Sequence, residues 1–164
     1  MDERWKRPTT AKEVAAMSES AEAFGRNLRD WQHELAKVTN RKDFAGRIEE
    51  SPPAMRARLG DAGQCDAYLA AYVEWLCERH GVPLPEWLDD EFRRADKPWH
   101  DHPPLWMDSF VHAPGAFRRR GVFTRPEDVL RFRRGRPPVS DAQKRRKSAE
   151  RQRRYRIRLR ERLR

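Results

Sequence analysis

Residues 61–80 read DAGQCDAYLAAYVEWLCERH, and the fold is expected to be built around them. Its apolar residues recur at helical spacing, which predicts a helix rather than a strand. Gly81 is a typical residue immediately after a helix end. Tyr68 and Trp75 widen the apolar face, so the stretch predicts a central and largely buried helix. The face itself consists of Cys65, Leu69, Tyr72, Val73, Leu76 and Cys77.

Residues 10–38 carry the second helical signal. Thr10 and Glu13 form a capping box, in which two side chains satisfy the free N–H groups of a helix start. Apolar residues then recur alternately three and four positions apart, which is a heptad spacing. This pattern predicts one long helix with a bend or break at Gly25. The apolar stripe consists of Val14, Met17, Ala21, Phe24, Leu28, Trp31, Leu35 and Val38.

The heptad stripe must pack against another surface. Its partner is either a helix of the same chain, a second copy, or another protein such as a toxin. Six of its residues are therefore candidates for a partner-binding face. They are Val14, Met17, Phe24, Leu28, Trp31 and Leu35.

The predicted fold class is all-α. Shorter helices are expected over residues 43–49, from 51 onward, over 86–94, over 105–112 and after 124, whereas 122–123 could be a short extended piece. A small helical body over residues 10–132 follows an N-terminal arm, residues 1–9. An extended linker and a basic C-terminal helix then occupy residues 133–164.

Composition excludes several classes of protein. Leu, Ile, Val and Phe provide only 28 of the 164 residues, which predicts a small core supported by six Trp. The longest stretch without a charged residue, 109–117, is far too short to span a membrane. No secretory signal is recognised, and two Cys cannot form a disulfide framework. We therefore expect a cytoplasmic protein.

The positive charge is concentrated at one end of the chain. The whole chain has a net charge of +10, but residues 117–164 contain 20 Lys and Arg against 5 Asp and Glu. The remaining residues carry an excess of acids. A basic segment attached to an acidic body is typical of proteins that bind nucleic acid or another polyanion.

The most specific short motif is Arg134-Gly135-Arg136-Pro137, which resembles the RGRP core of the AT-hook. The narrow minor groove of A·T-rich DNA is strongly negative and attracts Arg. Gly permits close approach to the groove floor because it has no Cβ. The resemblance implies groove insertion by Arg134 and Arg136. The match departs from the usual pattern because the next basic cluster begins only at Lys144, and one hook alone binds weakly.

The basic run after the hook is a candidate for phosphate contacts. A flexible polybasic tail without sequence preference is the alternative interpretation of the same residues. A bZIP-like basic region is not expected, because no leucine zipper follows. The nucleic-acid candidates of the linker and tail are Arg133, Arg134, Gly135, Arg136, Pro137, Lys144, Arg145, Arg146, Lys147, Arg151, Arg153, Arg154 and Arg156.

Patterns that would indicate metal binding or catalysis are weak. Cys77 and His80, or His100 and His102, have spacings that two ligands can use, but no CxxC or HExxH motif is present. The acids Asp89, Asp90, Glu91 and Asp101 are better explained as solvated side chains than as a Mg²⁺ site. We therefore expect no cofactor, no metal, no small-molecule substrate and no enzymatic activity.

Several strings resemble a bacterial group of small helical proteins of antitoxin type, whose module is also found behind helix-turn-helix domains. The strings are FGRNLRDWQHEL (24–35), AYLAAYVEWL (67–76), PEW (85–87), KPW (97–99) and APGAFRRRGVF (113–123). The resemblance covers residues 20–132 and implies a role beside a toxin, without naming a reaction. No helix-turn-helix precedes the module, so DNA contact would lie in the basic tail.

The expected function is non-catalytic binding of double-stranded DNA by an antitoxin-type or transcription-regulatory adaptor associated with the nucleoid. Two alternatives remain open. In the first, the chain is a protein-interaction module that neutralises a toxin or other partner through its body and tail. In the second, it is an RNA- or ribosome-associated protein.

Overall fold

The computed structural model describes residues 6–129. This part of the chain is mostly helical, with 56% of it in helices and two short strands. The helices are α1 (Ala11–Ala16), α2 (Ala21–Leu35), α3 (Arg41–Gly46), α4 (Arg56–Leu59), α5 (Gln64–His80), α6 (Trp106–His112) and α7 (Gly115–Arg119). Three 3₁₀ turns occupy Glu86–Asp89, Glu91–Arg93 and Pro103–Leu105, and the strands are β1 (Trp99–His100) and β2 (Val122–Phe123).

Helix α5 is the centre of the fold, as its sequence predicts. All residues from 65 to 77 except Tyr68 are buried. The helix ends at Gly81, whose φ of +61° is the left-handed conformation that favours glycine. Trp31 of α2 packs edge-on against Tyr72 at a ring-centroid distance of 6.1 Å. Helices α1, α2, α4 and α7 all contact α5, so one helix supplies the surface on which the body assembles.

The prediction of one long N-terminal helix is wrong. The chain leaves the helix after Ala16 and enters α2 only at Ala21. Ser20 causes the restart, because its side chain accepts a hydrogen bond from the N–H of Ala23. Ser18 donates its hydroxyl proton to the carbonyl of Val14 at the end of α1. Gly25, where a break was expected, lies inside the continuous helix α2.

The heptad stripe is packed within the chain, which corrects its assignment to a partner-binding face. Val14, Trp31 and Leu35 are completely buried, and Phe24 and Leu28 nearly so. Met17 is half-buried. Because the chain turns between α1 and α2, the two halves of the stripe pack against each other and against α5. Five of the six candidate residues therefore belong to the core of one chain, and Met17 lies at its edge.

The shorter helices differ from their predicted bounds for local reasons. Helix α3 begins earlier than expected because Asn40 caps it through the N–H of Asp43. The helix expected from residue 51 is reduced to α4, since Pro52 and Pro53 precede it. The helix expected over 86–94 forms two 3₁₀ turns instead, and residues 124–129 form turns without a helix.

The two strands pair in parallel, with Trp99 opposite Val122 and His100 opposite Phe123. The extended piece at 122–123 is confirmed, whereas its pairing with β1 had no signal in the sequence. The residues between the strands form α6, which lies on the ladder, and α7, which packs against α5 in the core. The all-α prediction is confirmed for the described body, apart from this two-residue ladder.

The linker and the basic helix predicted over residues 133–164 lie outside the described residues. Among residues 6–129, no helix combines the length and the apolar character required to cross a membrane.

Candidate functional site

Every residue assigned to nucleic-acid binding lies outside the described part of the chain. The described body carries three features that were considered for a structural or a binding role. They are a buried ionic network on α5, an apolar face on α6, and a shallow groove beside residues 82–87.

The ionic network begins with Asp66, a fully buried residue of α5. Its carboxylate accepts the backbone N–H groups of Met55 and Arg56 at 2.9–3.0 Å, so it satisfies the start of α4. Its Oδ1 lies 3.4 Å from Nη1 of Arg93, which is also fully buried. Burial raises the pKa of Asp66 and lowers that of Arg93, while the attraction between the two charges opposes both shifts.

The guanidinium of Arg93 is also enclosed by aromatic rings and by the 51–52 loop. It lies over the rings of Trp87 and Phe92, at 4.9 and 4.2 Å from their centroids. It donates to the carbonyl of Pro52. Through these contacts Arg93 joins the second 3₁₀ turn to α5 and to the 51–52 loop.

A second ionic cluster surrounds Glu74, which is only 7% exposed. Its Oε1 accepts from Nε of Arg119 at 2.9 Å, and its Oε2 accepts from Nε of Arg120 at 2.9 Å. Arg120 also donates to the carbonyl of Leu88 at 2.8 Å. One carboxylate thus joins α5, α7 and the first 3₁₀ turn. The signal for it was an acid inside the apolar run 67–77, which sequence reasoning overlooked.

The residues considered for metal binding do not converge. Within residues 6–129, no group of three His, Cys, Asp or Glu side chains could hold a metal ion. Cys65 and Cys77 are buried free thiols on α5. Burial raises the pKa of Cys77 to about 11, so its thiol is protonated and is a poor ligand and nucleophile at neutral pH.

The acids at 89–91 are likewise not assembled into a site. Asp89 and Glu91 are exposed, whereas Asp90 lies 3.7 Å from Nε of Arg93 and joins the structural network. Asp101 accepts the hydroxyl proton of Thr124, across the end of the two-stranded ladder. Its Oδ1 is buried without a hydrogen-bond partner among the described residues.

The apolar face on α6 is the most unusual surface of the body. Leu105, Trp106, Met107, Phe110 and Val111 are between 36% and 64% exposed. Leu84, elsewhere in the fold, is the one other large hydrophobic residue with comparable exposure in the described residues. Single exposed apolar side chains are normal, but a contiguous patch marks an interaction surface. We call these five residues the α6 face.

The α6 face is held firmly on the strands. The ring of Phe110 packs against Phe123 at 5.1 Å between centroids. Nδ1 of His100 lies 2.9 Å from Oγ of the buried Ser109, and that hydroxyl donates to the carbonyl of Trp106 at 3.0 Å. Ser109 thus links the imidazole of β1 to the backbone of α6.

The imidazole of His100 is also fixed from its face. Its ring is stacked on Phe123 at 5.0 Å between centroids. The contacts of His100 with Ser109 and Phe123 therefore position α6 on the two strands.

Charged side chains flank the α6 face, and within the helix Nε2 of His112 lies 3.7 Å from Oδ1 of Asp108. Toward the start of α6, Asp108 lies 4.0 Å from Nε of Arg125, which also pairs with Asp128 at 2.7 Å and Glu127 at 3.5 Å. This end has three acids and one base. At the other end, Arg118 donates to the carbonyls of Val111 and Ala113 at 3.3 and 3.0 Å, and His112 closes the helix.

The groove beside residues 82–87 has a volume of about 640 Å³. Ile48, Val82 and Trp87 form its apolar lining, and Glu49 and Glu86 stand at its sides. It is open and holds no converging polar groups. It does not have the enclosure or the placed polar groups of a small-molecule site.

Comparison of the chain with protein-family models, with curated proteins and with solved structures finds no match. The similarity to antitoxin-type proteins consequently stays a prediction from the strings quoted above. The α6 face was missed because the sequence predicts the helix but not its orientation. The available signal was that residues 105–111 are apolar on more sides than one buried face can cover.

Proposed function

We propose that the protein is a non-catalytic DNA-binding adaptor of antitoxin or transcription-regulatory type, which contacts DNA through residues 133–164 and associates with the nucleoid. In this proposal Arg134 and Arg136 enter the minor groove of A·T-rich DNA, and the basic run from Lys144 onward contacts phosphates. Phosphate contacts position a protein on DNA without reading its sequence, so the A·T preference comes from the RGRP motif.

The observation that carries the proposal is the segregation of charge. Residues 6–129 contain 19 Lys and Arg against 21 Asp and Glu, whereas residues 130–164 contain 16 Lys and Arg against 3 acids. Many cations of the body are held by its own acids, as in the pairs Lys12–Glu50 and Arg120–Glu74. The tail has no such supply of acids, so its charge is available to a polyanion.

The test is fluorescence anisotropy of the full chain on A·T-rich and G·C-rich duplexes of equal length. The variant R134A/R136A should lose the A·T preference. The matched control R145A/R146A removes the same charge outside the motif and should weaken binding to both duplexes by a similar factor. Equal binding of the wild type to both duplexes would reject the hook and leave a nonspecific polybasic tail. Stronger competition by a structured RNA than by duplex DNA would instead support the RNA-associated alternative.

A second candidate function is protein interaction, in which the body neutralises a toxin or another partner. The exposed α6 face favours it, because such a patch is typical of a binding surface. A stoichiometric partner that co-purifies from the native host with wild type, but not with M107E/V111E, would support this function. Retention of the partner by that variant would argue against it.

A further inference from the structure

We propose that the α6 face is a self-association surface, on which two copies of the chain pair through α6 in an antiparallel, two-fold arrangement. The starting observation is clustering. Five of the six exposed large hydrophobic residues in the described part of the chain fall between residues 105 and 111. Covering such a patch is favourable, because the transfer of apolar surface out of water lowers the free energy.

The extent of the face suits the centre of a protein interface. With one Trp, one Phe and three aliphatic side chains about half exposed, it offers on the order of 500 Å² of apolar surface. A standard interface buries about 800 Å² on each partner, with an apolar centre and a polar rim. The α6 face supplies the centre, and the charged residues around it supply part of the rim.

The α6 face is also fixed in position within a single chain, without a partner. Phe110 rests on Phe123, and the His100–Ser109 hydrogen bond fixes the helix to β1. The C-terminal end of α6 is capped, because the N–H of Ala113 donates to the carbonyl of Ser109 at 2.9 Å. A surface that is already ordered loses less conformational entropy on association.

The distribution of charge selects a second copy as the occupant. The acidic end of α6 contains Asp108, Glu127 and Asp128 against Arg125, and the other end contains Arg118. His112 is not counted with Arg118, because it already lies 3.7 Å from Asp108 of its own helix. In an antiparallel pair related by a two-fold axis, the acidic end of each copy faces the basic end of the other. The same geometry places two helix dipoles antiparallel. The face is thus complementary to itself in charge as well as in apolar character.

Self-association would strengthen the proposed DNA binding, and this consequence alone rests on that function. One RGRP motif per chain binds weakly, whereas a dimer carries two motifs in one complex. The second contact then becomes intramolecular and benefits from a high effective concentration.

The test is the oligomeric state of the full chain in the absence of DNA, measured by sedimentation equilibrium over a range of concentrations. The wild type should pass from the chain mass of 19.5 kDa to twice that mass as concentration rises. The variant M107E/V111E should remain monomeric over the same range. The matched control L84E changes an equally exposed apolar residue on another surface, and it should dimerise like the wild type.

Charge reversal tests the antiparallel arrangement separately. D108R and R118E should each weaken the homodimer, because each places like charges opposite one another. An equimolar mixture of the two should restore the dimer, since the introduced arginine of one variant then faces the introduced glutamate of the other. Circular dichroism of each variant confirms that the body is folded.

Three results would overturn the proposal: a wild type that stays monomeric at every concentration, a dimer that M107E/V111E leaves intact, or a mixture that associates no better than its components. Because no DNA is present, these results leave the DNA-binding proposal untouched. Conversely, loss of DNA binding in R134A/R136A would leave the dimer unchanged.

Discussion

Asp66 and Arg93 face each other across 3.4 Å between Oδ1 and Nη1, and neither side chain is exposed to solvent. The pair joins α5 to the second 3₁₀ turn, and the same carboxylate holds the backbone N–H groups at the start of α4. A buried charge is tolerated only when it is paired and hydrogen-bonded. The two residues therefore form one unit, and removal of Asp66 leaves the buried Arg93 with only the longer, 3.7 Å contact to Asp90.

Replacement of Asp66 by Ala should lower the free energy of unfolding by about 3–5 kcal/mol, because the buried charge of Arg93 loses its buried partner and the N–H groups of Met55 and Arg56 lose their acceptor. Urea denaturation followed by circular dichroism measures the loss. The matched control is D96A, which breaks the ion pair between Asp96 and Arg56. The side chain of Asp96 is 58% exposed. That control should cost less than about 1 kcal/mol. Equal losses of unfolding free energy in D66A and D96A would show that the buried ion pair stabilises the fold no more than the exposed one does.

Two glycines should respond in opposite directions to replacement by Ala. Gly25 lies inside α2 with open space around it, so G25A should stabilise the protein by about 0.5–1 kcal/mol. Gly63 has a φ of +77°, and an added Cβ would meet Arg56 and lie 3.1 Å from the carbonyl oxygen of Arg94. G63A should therefore destabilise the protein by more than about 1 kcal/mol. Thermal denaturation of both variants decides the point, and a shift of the same sign in both would contradict it.

The pH dependence of stability should include a contribution from Glu13. Partial burial would raise the pKa of this carboxyl, but hydrogen bonds from Thr9 and Lys6 outweigh it and lower the pKa to about 2. The charged form is thus favoured in the folded state, and its stabilisation is present above the unfolded pKa near 4.5 and lost as pH falls toward 2.

Between pH 5 and pH 2, E13Q should therefore lose less stability than the wild type does, by on the order of 2 kcal/mol. Denaturation curves at several pH values in this window measure the difference. Parallel curves for the two proteins would show that Glu13 is not the group responsible.

The two thiols should be unreactive in the folded protein. Burial raises the pKa of Cys77 to about 11, and burial together with Asp61 raises that of Cys65. Labelling with a disulfide reagent at neutral pH should be slower by roughly a hundredfold than in denaturant, where both thiols react. The variants C65S and C77S each leave one thiol, so they show which labelling rate belongs to which cysteine. Complete labelling of the native protein within seconds would contradict the burial of these side chains.

The salt dependence of DNA binding should report the number of phosphate contacts in the tail. Each phosphate that is neutralised contributes about 0.9 to the slope of log affinity against log salt concentration. R151A/R154A should reduce the slope by about 2 and weaken binding to A·T-rich and G·C-rich duplexes alike. A change confined to one duplex would mean that these residues read sequence or shape rather than charge.

The sequence predicted the central helix well because α5 combines a strong helical period with Gly on both sides. It failed at residues 17–20, where the heptad spacing continues although the helix does not. Spacing reports which side chains are buried together, and two short helices that fold against each other can bury the same residues as one long helix. Ser18 and Ser20 were the local signal for the break, since both can bond the backbone at helix ends.

Other features depend on contacts that no local pattern contains. Glu74 interrupts an apolar face, but its partners Arg119 and Arg120 lie about 45 residues away along the chain. The parallel pairing of β1 and β2 similarly joins two dipeptides too short for a strand signal. The orientation of α6 was also not predictable, because an apolar helix can face the core or the solvent. These features are set by tertiary packing, which overrides local preference.

The two-residue ladder sets α6 apart from the core. The chain leaves β1 after His100, forms α6 and returns to the core at α7, which packs against α5. The hydrogen bond from Thr124 to Asp101 joins the ends of the two strands. Ser109 is the one buried residue that α6 itself provides. Substitutions at the exposed positions of α6 therefore need no compensating change in the core, so the sequence of this helix can diverge while the scaffold stays constant.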